Sequence, residues 1–215
     1  MIVLKIGGSL IESAHNLLKK LCDLDYSATG REPESIIIVP GGGIFANTVR
    51  DVSQKYNISS DSAHWMAILA MEQYGFYLAD LEKIKLLDDL DNIPSMSRVI
   101  AILLPYKLLK NNDELEHSWK VTSDTIAAWI AKKLKARLIK ATDVDGIYID
   151  NKLVSTISAR ELIGKETCVD LALPKYLIKE KINLLVVNGK YPNRVIKAIF
   201  NKKTIGTFIT PEVNS

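Results

Sequence analysis

The chain has 215 residues, 47% of them hydrophobic and 25% charged, and a formal net charge of +3. That apolar content excludes a disordered chain, and 11 Gly with 7 Pro exclude collagen-like and low-complexity classes. The mild basic excess gathers into no run, so composition makes no case for a nucleic-acid partner.

The predicted elements alternate along the chain. Ile2 to Ile6 is a short apolar run, and Ser13 to Leu21 has helical spacing. Ser35 to Pro40 is a second run, followed by Ile44, Val49, Val52 and Tyr56 at helical spacing and a long helical stretch from Asp61 to Ala79. Leu87 to Ser97, with Pro94 at its centre, reads as a loop. Arg98 to Leu104 is a run, Thr122 to Lys135 a helix, and Arg137 to Ala141 a further run. Tyr148-Ile149 and Leu153-Val154 flank Asp150-Asn151-Lys152, a hairpin signal. Leu184 to Val187 is a run, Pro192 to Asn201 a helix, and Thr207-Phe208-Ile209 closes the pattern. Unbroken apolar strands alternating with helices predict a parallel sheet covered on both faces, with one antiparallel piece in the second half.

Cys22 and Cys168 match neither a disulfide framework nor a zinc pattern, which fits reduced thiols and a cytoplasmic protein. No stretch of 18 apolar residues is present, so no membrane partner is expected, and Met1 to Lys5 lacks the features of a signal peptide. His15, His64 and His117 lie far apart without metal-ligand spacing and read as surface or structural residues, so no protein-held metal is expected.

Chemistry concentrates at the strand ends. Lys5-Ile6-Gly7-Gly8-Ser9 ends the first strand, where consecutive glycines let backbone N–H groups approach an anion and Lys5 can point at the same charge. A plain strand-to-helix turn with a surface lysine, of little weight in packing, explains it equally well. Gly41-Gly42-Gly43 ends the second run. A simple turn does not require three glycines, and the shared carboxyl edge of the sheet is where open α/β folds bind ligands. Gly41-x-Gly43-x-x-Ala46 also gives a loose dinucleotide fingerprint, but Asp61, about 20 residues on, does not end a second strand. Thr122-Ser123-Asp124 opens a helix; Thr122 or Ser123 serves as N-cap, and Asp124 either complements the helix dipole or holds lysines in position. Lys140-Ala141-Thr142-Asp143-Val144-Asp145-Gly146-Ile147-Tyr148 follows a strand and contains the turn signal Asp-Gly, so a plain turn explains it, but it also combines a hydroxyl, carboxylates and a ring in a mixture that suits a nucleoside. Asn188-Gly189 is a third strand-end turn, and Lys175 follows Pro174 at the start of a helical stretch. The helix around His64, Trp65 and Met66 reads as core packing, with Ser60-Asp61-Ser62 at the border of an acceptor pocket.

In this order the motifs resemble the amino acid kinase family over nearly the whole chain. The resemblance implies a three-layer αβα sandwich with an open, mainly parallel sheet. It implies one domain over 1–215, with an acceptor lobe at about 1–120 and a nucleotide lobe at about 121–215. It implies transfer of the ATP γ-phosphoryl group to a small-molecule acceptor, here a phosphate, with Mg²⁺ arriving on the nucleotide, and subunit pairing into a homo-oligomer. Lys5 would bridge the transferring group, Lys175 neutralise the leaving side, and Asp124 orient the two lysines. Gly7, Gly8, Ser9, Thr142, Asp143, Gly146, Tyr148, Asn188 and Gly189 would join Lys5 at the nucleotide. Gly41, Gly42, Gly43 and Asp61 would hold the acceptor. The chain departs from the family at Asp170-Leu171-Ala172-Leu173, which replaces a glycine-methionine before Lys175. Another acceptor (a nucleoside monophosphate or an acylated amino acid), a non-catalytic nucleotide sensor, and a dinucleotide-dependent oxidoreductase remain the alternatives.

Overall fold

Every residue of Ile2–Ile6 and of Ile36–Pro40 is buried, so neither segment has a solvated face, and Lys5 is the one polar residue in the two. The structure is a computed structural model and describes residues 1–24, 34–91, 93 and 99–211. The loop predicted around Pro94 and the start of the run at Arg98 lie outside the described residues.

In chain order the elements are β1 (Ile2–Ile6), α1 (Ala14–Cys22), β2 (Ile36–Pro40), α2 (Gly43–Lys55), α3 (Ser60–Glu82), β3 (Lys85–Leu87), β4 (Ile100–Leu103) and α4 (Pro105–Asn111). The second half adds α5 (Ser123–Leu134), β5 (Arg137–Thr142), β6 (Tyr148–Ile149), β7 (Lys152–Leu153), β8 (Thr156–Ser158), α6 (Leu173–Glu180), β9 (Leu184–Asn188), α7 (Pro192–Ile199) and β10 (Thr207–Thr210). Eight strands form one sheet in the order β3-β4-β2-β1-β5-β9-β10-β8. Among the described residues all its pairings are parallel except β9 with β10. The expected antiparallel piece also exists as β6 and β7, a separate two-stranded hairpin. Its turn residues Asp150 and Asn151 both have positive φ, as a tight hairpin turn with the twist of its strands requires.

Two apolar layers flank the sheet. Ile2, Leu4 and Ile6 face Leu17, Leu18 and Leu21 of α1 and Val195 and Ile199 of α7. Val3 instead belongs to the opposite layer, with Ile126, Trp129 and Ile130 of α5. Side chains alternate along a strand, so Lys5 points to the α5 side with Val3. The same rule sends Lys140 to that side with Leu138, and Lys5 pairs with Lys140 in register. Helix α5 is buried at every position from Ser123 to Ala131, as a helix lying wholly inside a layer must be. Between β1 and β5 the strand order turns from one direction to the other, and at such a point the carboxyl ends leave a crevice.

Candidate active site

The two glycine loops meet in that crevice. Gly7 N–H donates to the Ala141 carbonyl at 2.8 Å, and Gly41 N–H donates to the Ile6 carbonyl at 2.8 Å. A Cβ on Gly8 would run into the Cα and N of Gly43, and one on Gly41 would stand 2.7 Å from the Gly8 nitrogen. Gly43 has φ +55°, a conformation that glycine adopts without Cβ strain. The contact between the loops is backbone against backbone, and this is what so many glycines serve. The buried Tyr74 hydroxyl donates to the Gly7 carbonyl at 3.5 Å, tying α3 to the same corner.

Below the loops lies a buried ionic triad. Asp124, in the first turn of α5, has Lys5 Nζ 2.8 Å from Oδ1 and Lys140 Nζ 2.6 Å from Oδ2. The Lys5 contact is an ion pair without hydrogen-bond alignment, whereas Lys140 donates to Oδ2 and also to the Cys168 carbonyl. All three side chains are buried. Burial pushes the Lys5 ammonium below its usual range and Lys140 adds to that, while Asp124 opposes it. Burial alone would raise the Asp124 carboxyl, but Lys140 and Lys5 together hold it far below the ordinary carboxylate range.

Lys140, the first residue of the Lys140-to-Tyr148 motif, carried no role of its own in the sequence reading. It stands in place of the expected Lys175 as the second lysine on Asp124. A lysine inside an otherwise apolar buried strand needs a carboxylate partner, and that was the available signal. Lys175 is exposed in the first turn of α6 and forms no ion pair among the described residues. Lys5, read as a possible surface lysine, is instead part of the core.

The departure at Asp170 has a structural cause. Its carboxylate accepts from the backbone N–H of Thr122 (3.0 Å) and Thr125 (3.0 Å), from both threonine hydroxyls, and from Leu173 N–H at 2.8 Å. Thr122 occupies the N-cap position but caps nothing with its side chain; Asp170 does so for the start of α5 and also anchors α6. The expected capping role of Thr122 or Ser123 therefore passes to a residue 48 positions away.

On the far side of the loops stand the residues expected at a nucleotide. Ser9 Oγ donates to Asp143 Oδ1 at 2.8 Å, and Thr142 and Asn188 end neighbouring strands in register. Gly189 N–H donates to the Thr142 carbonyl at 2.7 Å. Asn188 Nδ2 donates to Asp145 Oδ1 at 2.8 Å, and Arg194, seated over the Tyr191 ring, donates to the same oxygen at 2.6 Å. Gly146 backs onto Thr207, whose hydroxyl accepts from the Ile147 N–H, and Tyr148 is exposed. Asp145 stood in the expected motif without a role of its own, and Arg194 was not among the expected site residues.

On the other side a cavity of about 450 Å³ opens from Gly8, Gly42 and Gly43 between α2, α3 and the segment before α5. Its walls are apolar at Ile44, Ile68, Met71 and Ile126, with Trp119 and Arg50 stacked 4.8 Å apart. Arg50 is the one charged side chain among the described lining residues. Asp61 does not line the cavity. Its carboxylate bonds His117 Nδ1 at 2.8 Å, and Asp113 bonds His117 Nε2 at 2.8 Å. The His117 ring stacks on His64 with centroids 4.1 Å apart, so two histidines that are distant in sequence adjoin. Among the described residues no group of three or more His, Cys, Asp or Glu side chains is arranged to hold a metal ion.

Twin glycine corners over buried cations at the carboxyl edge, with a separate cavity on one side, define the class of α/β proteins that bring an anionic donor and an acceptor together. The profile of the amino acid kinase family matches residues 1–188, and the chain belongs to that family. A [5-(aminomethyl)furan-3-yl]methyl phosphate kinase of Methanocaldococcus jannaschii is 41% identical over 97% of both chains. A uridylate kinase of Thermofilum pendens is 23% identical over 96% of both. The crystal structure of uridylate kinase from Archaeoglobus fulgidus has the same fold, with a TM-score of 0.70 and 22% identity over 97% of this chain and 99% of that one.

Proposed function

We propose that the chain transfers the γ-phosphoryl group of ATP to the phosphate of [5-(aminomethyl)furan-3-yl]methyl phosphate, giving the diphosphate and ADP, as a step of methanofuran biosynthesis in the cytoplasm. The observation that carries this reading is the relative of that activity, 41% identical over 97% of the chain, together with a cavity of small-molecule size beside the glycine corner. No helix among the described residues is long and apolar enough to cross a membrane. The reading keeps an acceptor lobe at about 1–120 and a nucleotide lobe at about 121–215, and a homo-oligomer with no nucleic-acid partner.

The acceptor phosphate attacks with an oxygen that is already anionic, so no general base is needed. A bond forms from that oxygen to the γ-phosphorus, the bond to the β–γ bridging oxygen breaks, and ADP leaves with the electron pair. The obstacle is repulsion. Two unit charges 4 Å apart interact by about 4 kcal/mol at an effective dielectric near 20, and several such pairs act at once. Lys5, held by Asp124, answers it at the transferring group, and the backbone N–H groups of Gly8, Gly42 and Gly43 would add fixed donors, whereas those expected from Gly7 and Gly41 are bonded to the Ala141 and Ile6 carbonyls. Lys140 keeps Asp124 and hence Lys5 in place, and Lys175 in the first turn of α6 is assigned to the leaving side. Ser9, Thr142, Asp143, Gly146, Tyr148, Asn188 and Gly189 would hold ATP. Mg²⁺ bound to its phosphates would neutralise part of their charge.

Mass spectrometry of the products from ATP plus [5-(aminomethyl)furan-3-yl]methyl phosphate tests the reading. The diphosphate and ADP in equal amounts are expected. Turnover of UMP in its place, or ATP binding without turnover, would overturn it.

A further inference from the structure

We infer that His64, backed by His117 and the carboxylates of Asp61 and Asp113, is the specificity-determining residue that accepts a hydrogen bond from the acceptor's ammonium group. This rests on the acceptor proposed above and says how it is chosen.

The cavity has two chemically different ends. Tyr74, bonded to Gly7, marks the glycine end of α3. Met71 lines the cavity next to that end, and His64 lines it seven residues earlier. At 1.5 Å per residue this sets His64 about 10 Å further along the helix axis. A five-membered ring with a phosphomethyl arm and an aminomethyl arm places its phosphate and ammonium at opposite extremities on that scale. With the phosphate at Gly8, Gly42 and Gly43, the ring lies among Ile68, Met71 and Ile126, and the amine reaches His64.

His64 is equipped for this. Its side chain is only 8% exposed, lines the cavity, and makes no hydrogen bond to another described residue. Burial, and then the neighbouring His117, push its pKa down to about 4, so near neutral pH one ring nitrogen carries a free lone pair. His117 has both ring nitrogens bonded to carboxylates, an arrangement that only the imidazolium satisfies with two donors. Burial opposes that proton, but Asp113 and Asp61 raise the His117 pKa. One imidazolium between two carboxylates leaves a single negative charge behind His64, a sign that suits an incoming ammonium. Arg50, the cation on the cavity wall, is seated over the Trp119 ring, and Lys110, outside the lining, over the Trp65 ring.

The test compares [5-(aminomethyl)furan-3-yl]methyl phosphate with its analogue in which methyl replaces aminomethyl. His64→Leu should raise KM and the calorimetric Kd for the amine by about 10- to 100-fold, the range of a lost hydrogen bond to a charged group. This rise should exceed any fall in kcat, and the methyl analogue should be unaffected. His64→Gln, which retains an acceptor, should recover most of the preference. Asp61→Asn, at an exposed side chain, should weaken the amine alone and carries the test if His64→Leu fails to fold. Equal losses on both acceptors, or a wild-type protein that takes the methyl analogue as readily as the amine, overturn the inference. A wild-type protein that turns over neither furan phosphate but does turn over another phosphate overturns the acceptor assignment itself, and is read before any variant.

Discussion

Replacing Asp124 with Asn keeps the side chain's shape and removes its charge. The carboxylate is buried between Lys5 at 2.8 Å and Lys140 at 2.6 Å, and also accepts the Asp170 N–H at 3.2 Å. Removing one partner from a buried ion pair costs about 3–5 kcal/mol. At roughly 2–4 °C per kcal/mol for a chain of this length, the melting temperature should fall by about 6–20 °C. The loss should also depend on pH. The Asp124 carboxyl is held far below its unfolded value, so its contribution is complete above the ordinary aspartate range and disappears only in strong acid. Between neutral and alkaline pH it is constant in the wild type. In the variant, Lys5 and Lys140 face each other without a counter-ion, and burial already depresses the Lys5 pKa. One lysine should shed its proton in the folded state while the unfolded chain keeps it up to about pH 10. The unfolded state then binds one more proton, so the variant gains up to about 1.4 kcal/mol of stability per pH unit as pH rises. Calorimetry from pH 6 to 9.5 should show the two melting curves converging. A gap that stays constant over that range refutes the reasoning, because the lysines would then be satisfied by something other than Asp124.

Lys5→Ala should lower kcat by about 100- to 1000-fold, the cost of removing one charge donor from a transition state, measured as ADP release at saturating substrates. It should also lower the melting temperature, since it leaves Asp124 with a single lysine; unchanged turnover would remove Lys5 from the mechanism. Lys140→Met should reduce the melting temperature as well as the rate, whereas Lys175→Ala, at an exposed position, should change stability by no more than about 0.5 kcal/mol while slowing turnover. Thermal melts paired with kcat separate the two lysines, and equal effects would contradict their assigned roles. Gly8→Ala should destabilise by about 1–3 kcal/mol and abolish turnover, because the added methyl meets the Gly43 backbone. Gly7→Ala, with 3.2 Å to the Ala141 carbonyl oxygen, should be milder in circular-dichroism melts.

The central strands were legible because burial on both faces leaves Ile2–Ile6, apart from Lys5, and Ile36–Pro40 apolar, and such runs have few other readings. Helices α1 and α7 were legible from apolar residues that recur every three or four positions. Strands β3 and β8 are three residues long and lie at the two edges of the sheet, too short to carry a pattern. Helix α4 begins at Pro105, which is good helix-start chemistry, but seven residues carry little periodicity. At the site, glycines disclosed themselves because their composition is improbable without close backbone approach. The partners did not. Asp124 was legible as a holder of lysines, yet which lysines depends on the register that sets Lys5 opposite Lys140, a long-range fact. The capping by Asp170 and the stacking of His64 on His117 span 48 and 53 positions, and no local rule reaches so far.

The place of β1 has a consequence for how the protein is made. Its neighbours are residues 36–40 on one side and 137–142 on the other. A ribosome therefore releases Ile2–Ile6 long before the second neighbour exists, and that hydrogen-bonding edge waits while roughly a hundred further residues are synthesised. At the usual elongation rates of about 5–20 residues per second, the wait lasts seconds. A strand that is apolar but for Lys5, with an open edge, is then exposed to pairing with other nascent chains, and slow translation of the middle segment should lower soluble yield without altering the finished protein.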